Sequence, residues 1–353
     1  MSQAYDEKKL EALAGKVMND VAGAMGVLMA YIGDQAGVYR ALDEMGPATL
    51  PQLAQKTGLN PKYLHEWLGS NAAAGYVTYD PETEIFSLTP EQALVFTREG
   101  QPACMQGFLQ SVLSQFETHE KAVETFKSGR GRPWGEHAPG CFCGTDRFFR
   151  PGYVANLLDR WLPSLDGVVA KLKEGGKVAD IACGHGSSTI LLAQAFPKAR
   201  IFGFDFHEPS IEAARRKAAE AGVTNIEFHV ARAKDFPGAD GITHVVQRVE
   251  YAGEVIVGAA QHIRETLKPD GTFMLVEPLA GDHMRDNLHP LGQIFYGFST
   301  VVCTPASLAQ EVGRGLGAQA GQKKLTEVLN EAGFPKVRRA SVTMTNMVLA
   351  ATL

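Results

Sequence analysis

Two glycines and one carboxylate carry the chemistry in this chain that their spacing makes most specific. Val178 to Ile181 reads as a short buried strand, Ala182-Cys-Gly-His-Gly186 as a tight turn, and Ser187 to Phe196 has the apolar spacing of a helix. Glycine at 184 and 186 lets the backbone adopt conformations that a side chain forbids, and lets a ligand lie close against it. The helix that follows points its unpaired N–H groups back toward that ligand. A second strand, Arg200 to Phe204, ends at Asp205, about twenty residues beyond the glycines, where an acid suits the two hydroxyls of a ribose. Strand, glycine turn, helix, strand and acid together predict a nucleoside site.

Other reactive groups sit in loops. Trp134 and His137 lie within the Gly/Pro-rich passage 128–140, and His283 and His289 within the polar loop 278–290. Tyr296 is on a predicted helix around 292–302. The five cysteines show neither C-x-x-C nor histidine-paired spacing, so no metal site is expected, and an odd count without a framework fits a reducing cytoplasm.

The elements that must position these groups follow an α/β alternation. Beyond Asp205 come a helix from Pro209 to Gly222, a strand from Ile226 to Val230, and the loop Ala233-Lys-Asp-Phe-Pro237. A strand at 243–247 leads to Arg248-Val-Glu-Tyr251, a helix to 267, the turn Lys268–Gly271 and a strand at 272–276. A helix at 323–332 and one strand at 337–349 close the chain. The expected fold is α/β, with a mostly parallel doubly wound sheet, and three divisions are expected: 1–100, 101–165 and 166–353.

Residues 36–98 read as a winged helix, with Thr49 as the N-cap of its second helix, a third helix over 60–71 and a hairpin at 75–88. Such a module invites a DNA-binding reading, and charge decides against it. Residues 37–100 hold four cations and eight anions, net −4, which repels a phosphate backbone. No nucleic-acid partner is expected, and the whole chain's net charge of −5 agrees. The helix predicted over 7–32 is apolar nearly all round in its second half, which predicts burial against a second subunit and hence a homodimer. Its longest apolar run is too short to span a bilayer, and the opening residues lack a signal peptide's pattern, so a cytoplasmic protein without a membrane partner is expected.

Asp180-x-Ala-x-Gly-x-Gly186 resembles motif I of the class I S-adenosylmethionine-dependent methyltransferases, with Ala182 in place of the first glycine. With 233–238, 277–282 and 316–321, the chain resembles bacterial methyltransferases that carry an N-terminal winged-helix dimerisation domain, relatives of small-molecule O-methyltransferases. The resemblance implies a Rossmann-like domain with S-adenosylmethionine as cofactor. Asp180, Ala182, Gly184 and Gly186 would then form its methionine end and Asp205 the ribose seat. Phe206, Ala233, Asp235 and Phe236 would surround the adenine, with Arg232 replacing an acid common at that loop.

The related O-methyltransferases use a histidine after the fourth strand as base, and here Tyr251 falls at that position. Neutral tyrosine is a poor base at pH 7, and the adjacent Glu250 is weak for a hydroxyl. A thioether needs no base, and an alkene carbon needs one only after attack. The expected acceptor is therefore a small molecule with a sulfur, carbon or already ionised nucleophile. Arg248, Arg147 and Arg150 suggest a carboxylate on it, as in 4-methylthio-2-hydroxybutyrate. Catalysis is assigned to Arg248, Glu250 and Tyr251, and the acceptor pocket to Trp134, His137, His283, His289 and Tyr296. O-methylation with Glu250 or a loop histidine as base, a cofactor-binding protein without transfer, and a regulator of DNA are the competing readings.

Overall fold

The structure, a computed structural model, describes residues 5–237, 242–248 and 256–353; for 242–248 and Ile256 it describes the backbone course alone. Contacts divide the chain into two units. One takes residues up to Glu117 with Pro139–Pro151, the other Thr118–Ala138 with Gly152–Leu353.

In the first unit, Asp6 caps a helix from Glu7 to Gln35 by accepting the N–H groups of Lys8 and Lys9. Leu10, Leu13, Val17, Val21 and Met25 recur along it at three- and four-residue steps and are 50% to 60% exposed in the single chain. Only the far end is covered, where Gly26, Ala30 and Gly33 are buried. Gly33 makes this possible, because a Cβ there would lie 2.2 Å from the Trp67 ring.

Helices Val38–Met45, Leu50–Thr57 and Pro61–Ala73 then meet a small antiparallel sheet. Its strands are β1 (Ala48–Thr49), β2 (Thr78–Asp80) and β3 (Ile85–Ser87), in the order β1-β3-β2. Thr49 and Asn60 cap their helices as their residue types predict. Tyr39 is the hub of this core: it stacks on Phe96 at 4.7 Å, meets Trp67 edge-on at 4.9 Å, and donates its hydroxyl to Asn71 Oδ1 at 2.5 Å. Two further helices follow, Gln106–Phe116 and His119–Ser128.

The second unit holds a seven-stranded sheet of β4 (Lys177–Ile181), β5 (Arg200–Asp205), β6 (Ile226–Val230), β7 (Ile242–Arg248), β8 (Leu267–Pro278), β9 (Lys336–Val342) and β10 (Asn346–Thr352). The order is β6-β5-β4-β7-β8-β10-β9. The pairs β4–β5, β5–β6, β4–β7 and β7–β8 are parallel, and β10 is antiparallel to both neighbours. The chain winds outward from β4 through β5 to β6, then returns to β7 on the other side. The β4/β7 boundary is therefore the switch point at which such sheets open a ligand crevice.

Two expectations are corrected. The strand predicted at 337–349 is a hairpin, because Thr343 and Asn346 bond to one another across its turn, Thr343 N–H to Asn346 O at 2.8 Å. Lys268–Gly271 is a bulge within a strand already begun, since pairing jumps from Ile242↔Leu267 to His244↔Thr272.

Candidate active site

The turn between β4 and the helix Ser187–Ala195 is fastened to β5 at two points. Cys183 N–H donates to Phe204 O at 3.1 Å, and Gly184 N–H donates to Asp205 Oδ2 at 2.9 Å. The other oxygen of Asp205 accepts His207 N–H at 2.8 Å, and the carboxylate is only 8% exposed. A carboxylate offers about four acceptor sites, so fixing this turn and receiving ribose hydroxyls are compatible tasks. Asp205 thus holds the turn above it and keeps acceptor capacity for the ribose hydroxyls expected there.

The two glycines of the turn do different things. A Cβ on Gly184 would meet nothing within 4 Å, so this glycine faces open space. A Cβ on Gly186 would lie 2.7 Å from the Phe228 ring and 3.0 Å from Ala214, so this one serves close packing. Ala182 takes φ +57°, a conformation glycine adopts freely and alanine does not, and that is the cost of its departure from the motif. Asp180 is fully buried and accepts the hydroxyls of Ser188 and Thr189, both at 2.7 Å. Placing Asp180 against the cofactor is therefore corrected: its carboxylate anchors the first turn of the following helix.

The adenine end also changes. Phe236 is 1% exposed and its ring packs on Phe204 at 4.9 Å and against His262 at 4.5 Å, so it belongs to the core and not to a ligand surface. Ala233, 7% exposed, is part of the same core. Asp235 is exposed, its N–H turned onto Arg232 O. Phe206 does present its ring outward, lining a cleft of about 300 Å³ with Pro133, Trp134, Arg232, Lys234 and Gln310. Trp134 thus joins Phe206 at this cleft.

Trp134 reaches it on a strap that the sequence does not announce. Arg132 is 3% exposed; its guanidinium bonds Thr118 Oγ1 and Glu136 O, and its N–H bonds Pro305 O at 2.8 Å. Gly131 allows that approach, since a Cβ there would lie 1.9 Å from Ala309 N. His137 ends the strap 4% exposed, and among the described residues neither ring nitrogen has a hydrogen-bond partner. Burial first, then the charges of Arg132 and Lys121, lower its pKa to about 4.

The remaining candidates are placed as follows. His283 and His289 are exposed on the loop after β8, and His289 Nδ1 accepts Gly292 N–H at 3.1 Å. That bond leaves the proton of a neutral His289 on Nε2, so its ring is a helix cap and not a base. Tyr296 is half-buried on the helix Pro290–Phe298. The arginine clamp is corrected: Arg147 bonds Glu99 at 2.9 Å, Asp34 at 3.0 Å and Gln110 at 2.8 Å, and Arg150 bonds Glu99 at 2.5 Å. Both are held within the first unit by its own carboxylates. Glu250 and Tyr251 lie outside the described residues, and so does the side chain of Arg248. Among the described residues no cluster of three or more His, Cys, Asp or Glu is placed to hold a metal.

A doubly wound sheet with a glycine turn, a helix N-terminus and an acid gathered at the ends of β4 and β5 defines a Rossmann-like domain of the class I S-adenosylmethionine-dependent methyltransferase type. Residues 172–333 match the family described as "Methyltransferase domain", and residues 23–98 the "Rv2258c-like winged HTH domain". The chain thus combines a methyltransferase domain, of the kind whose cofactor is S-adenosylmethionine, with an N-terminal winged-helix domain.

Among curated proteins, it is 36% identical over 72 residues to a tRNA (guanine-N(7)-)-methyltransferase of Shewanella halifaxensis, covering 20% of this chain and 30% of that one. It is also 36% identical over 73 residues to a demethylmenaquinone methyltransferase of Bacillus velezensis, covering 20% of this chain and 31% of the relative. The matched stretches thus span less than a third of these relatives. Among solved structures, human N-acetylserotonin methyltransferase in complex with S-adenosylmethionine aligns over 100% of this chain and 99% of its own, at 15% identity and TM-score 0.70. An O-methyltransferase family protein from Burkholderia thailandensis aligns over 99% of each chain at 15% identity and TM-score 0.67. At these identities the likeness is one of fold.

Two outcomes follow from the geometry. Ala182→Gly relieves a left-handed alanine at the cost of a more flexible unfolded chain, and should raise the unfolding free energy by roughly 0.5–1 kcal/mol. Urea titration with the midpoint unchanged or lowered counts against the strain. For His137, an unfolded chain takes up a proton near the ordinary value of 6.5, whereas the folded one does so only near 4. Stability is complete above about pH 6.5 and should fall by roughly 3 kcal/mol as pH drops to about 4. Unfolding of His137→Leu followed across that window should show a correspondingly shallower loss.

Proposed function

We propose that this protein transfers the methyl group of S-adenosylmethionine to a small molecule and does so as a homodimer. The observation that carries the reading is the Asp205 carboxylate joined to the glycine turn at the sheet's C-terminal edge, inside a methyltransferase domain. The residues present fit the cofactor: Gly184 leaves open space beside the turn, and Asp205 offers acceptors for a diol. When bound, the cofactor supplies an electrophilic methyl on a sulfonium, and the protein's own work is to align the acceptor behind that carbon.

The acceptor class we favour is a nucleophile that arrives without a proton: a thioether sulfur, such as that of 4-methylthio-2-hydroxybutyrate, or an electron-rich carbon. Two of the loop histidines support this. His289 has its accepting nitrogen engaged as a cap, and His137 is buried where taking up a proton is disfavoured. A carboxylate on the acceptor draws no support from Arg147 and Arg150, which Glu99 and Asp34 hold. Glu250 and Tyr251 remain the proposed groups beside the reacting atoms.

Support for the dimer comes from the stripe Leu10, Leu13, Val17, Val21 and Met25, a run of apolar side chains that a single chain leaves half exposed.

Calorimetry with S-adenosylhomocysteine should give a dissociation constant in the micromolar range for the wild type, weakened at least about a hundredfold in Asp205→Ala. Incubation with methyl-labelled cofactor and a metabolite extract should place label in a small organic product; a folded, cofactor-binding protein that labels nothing would mean retention without transfer. Light scattering should give about twice the chain mass, and Val17→Glu with Val21→Glu should halve it. A monomeric wild type would remove the dimer from the reading.

A further inference from the structure

The strap that carries Trp134 runs beside the Asp205 clamp. A Cβ on Gly135 would lie 3.9 Å from His207 Cδ2, and His207 N–H is one of the two backbone donors that Asp205 accepts. Phe206, between the acid and that histidine, lines one cleft together with Trp134. Phe206 is 37% exposed and Trp134 is half-buried, so both keep surface uncovered at this cleft.

Trp134 is held in place before any ligand arrives. The Arg132 guanidinium donates to Glu136 O at 2.7 Å and to Thr118 Oγ1 at 3.1 Å. Glu136 N–H donates to Pro133 O at 3.0 Å and His137 N–H to Trp134 O at 3.1 Å, which locks the strap into a single turn at Trp134. The Trp134 side chain also packs against the cluster of Phe295, Val302, Cys303 and Ala318. A side chain fixed in this way gives up little freedom when a ligand stacks on it.

The chemistry of a nucleoside says which part of it reaches this cleft. In a ribose held by its diol, the base leaves from the carbon beside one hydroxyl and the 5′ arm from the carbon beside the other. Open space beside Gly184 suits the arm, so the base is directed away from the turn, toward the residues that follow Asp205.

We infer that Trp134 is a binding residue for the cofactor's adenine, stacking on the base from the strap while Phe206 meets it from the loop after β5. The inference rests on the cofactor reading above. It takes Trp134 out of the acceptor pocket and makes the strap 131–137 part of the cofactor site.

The test uses S-adenosylhomocysteine and S-ribosylhomocysteine, the same molecule without its base. Trp134→Leu keeps apolar packing and removes the stacking surface. In calorimetry it should weaken the adenosyl ligand by roughly tenfold or more and leave the ribosyl ligand as in wild type. Trp134→Phe, which keeps a ring, should hold the adenosyl ligand within about threefold. Of the chain's three tryptophans, Trp67 and Trp161 are only 5% and 1% exposed, so the emission that the adenosyl ligand quenches should be that of Trp134. Saturation should quench wild type and leave Trp134→Phe unchanged. The inference is overturned if Trp134→Leu binds the adenosyl ligand like wild type, if it loses both ligands equally, or if saturation leaves wild-type emission as it was. A wild type that binds neither ligand overturns the cofactor reading itself.

Discussion

A carboxylate that is 8% exposed must have its charge met by donors, and Asp205 takes them from two different pieces of backbone. One is Gly184, at the apex of the turn after β4; the other is His207, at the start of the loop after β5. The demand of that charge draws the two loops together, and the crevice they leave is the proposed nucleoside seat. The geometry of the turn and the capacity to hold a diol are thus one property. The same atoms that shape the backbone are the ones a ribose would meet. Removing the acid would release the turn from the loop after β5.

Around that clamp the division of labour is sharper than the spelling of the motif suggests. Asp180 lies wholly buried behind the turn and fixes Ser188 and Thr189 at the start of the helix. Gly186 yields its side-chain space to Phe228, whereas Gly184 yields it to open space. Of four motif positions, one anchors the helix by hydrogen bonds, one serves packing, one bears backbone strain at φ +57°, and one faces outward. A fingerprint of this kind records the requirements of a strand, a turn and a helix that meet closely, as much as those of a ligand.

How much of this the sequence discloses depends on the range of the interaction. The β4–turn–helix unit, the caps at Thr49 and Asn60 and the α/β alternation are legible because each is written in neighbouring residues. Phe236 and Asp235 are adjacent, and adjacency cannot tell which enters the core; the ring does, and the carboxylate stays outside. Arg147 finds its partners 48 and 113 residues away, and no local pattern pairs them. The strand expected at 337–349 has strand-like residues on both sides of a turn, so composition alone runs the two strands together. The buried Arg132 carries no signal in its own stretch; it acquires meaning when the strap 131–137 meets the segment 305–310.

The loop histidines show how the same reasoning bears on chemistry. Histidine in a polar loop invites the role of base, yet a base needs an accepting nitrogen within reach and an environment that tolerates its cation. His289 has given its Nδ1 to the N-terminus of a helix, which fixes the tautomer and consumes the acceptor. His137 sits where burial and the charges of Arg132 and Lys121 oppose a second proton. Each has been recruited by the fold, one as a cap and the other as a buried ring. In the proposed chemistry, which dispenses with proton removal, the whole burden falls on alignment, and the clamp at Asp205 and the strap beside it are the fixed backbone to which the proposal assigns that alignment.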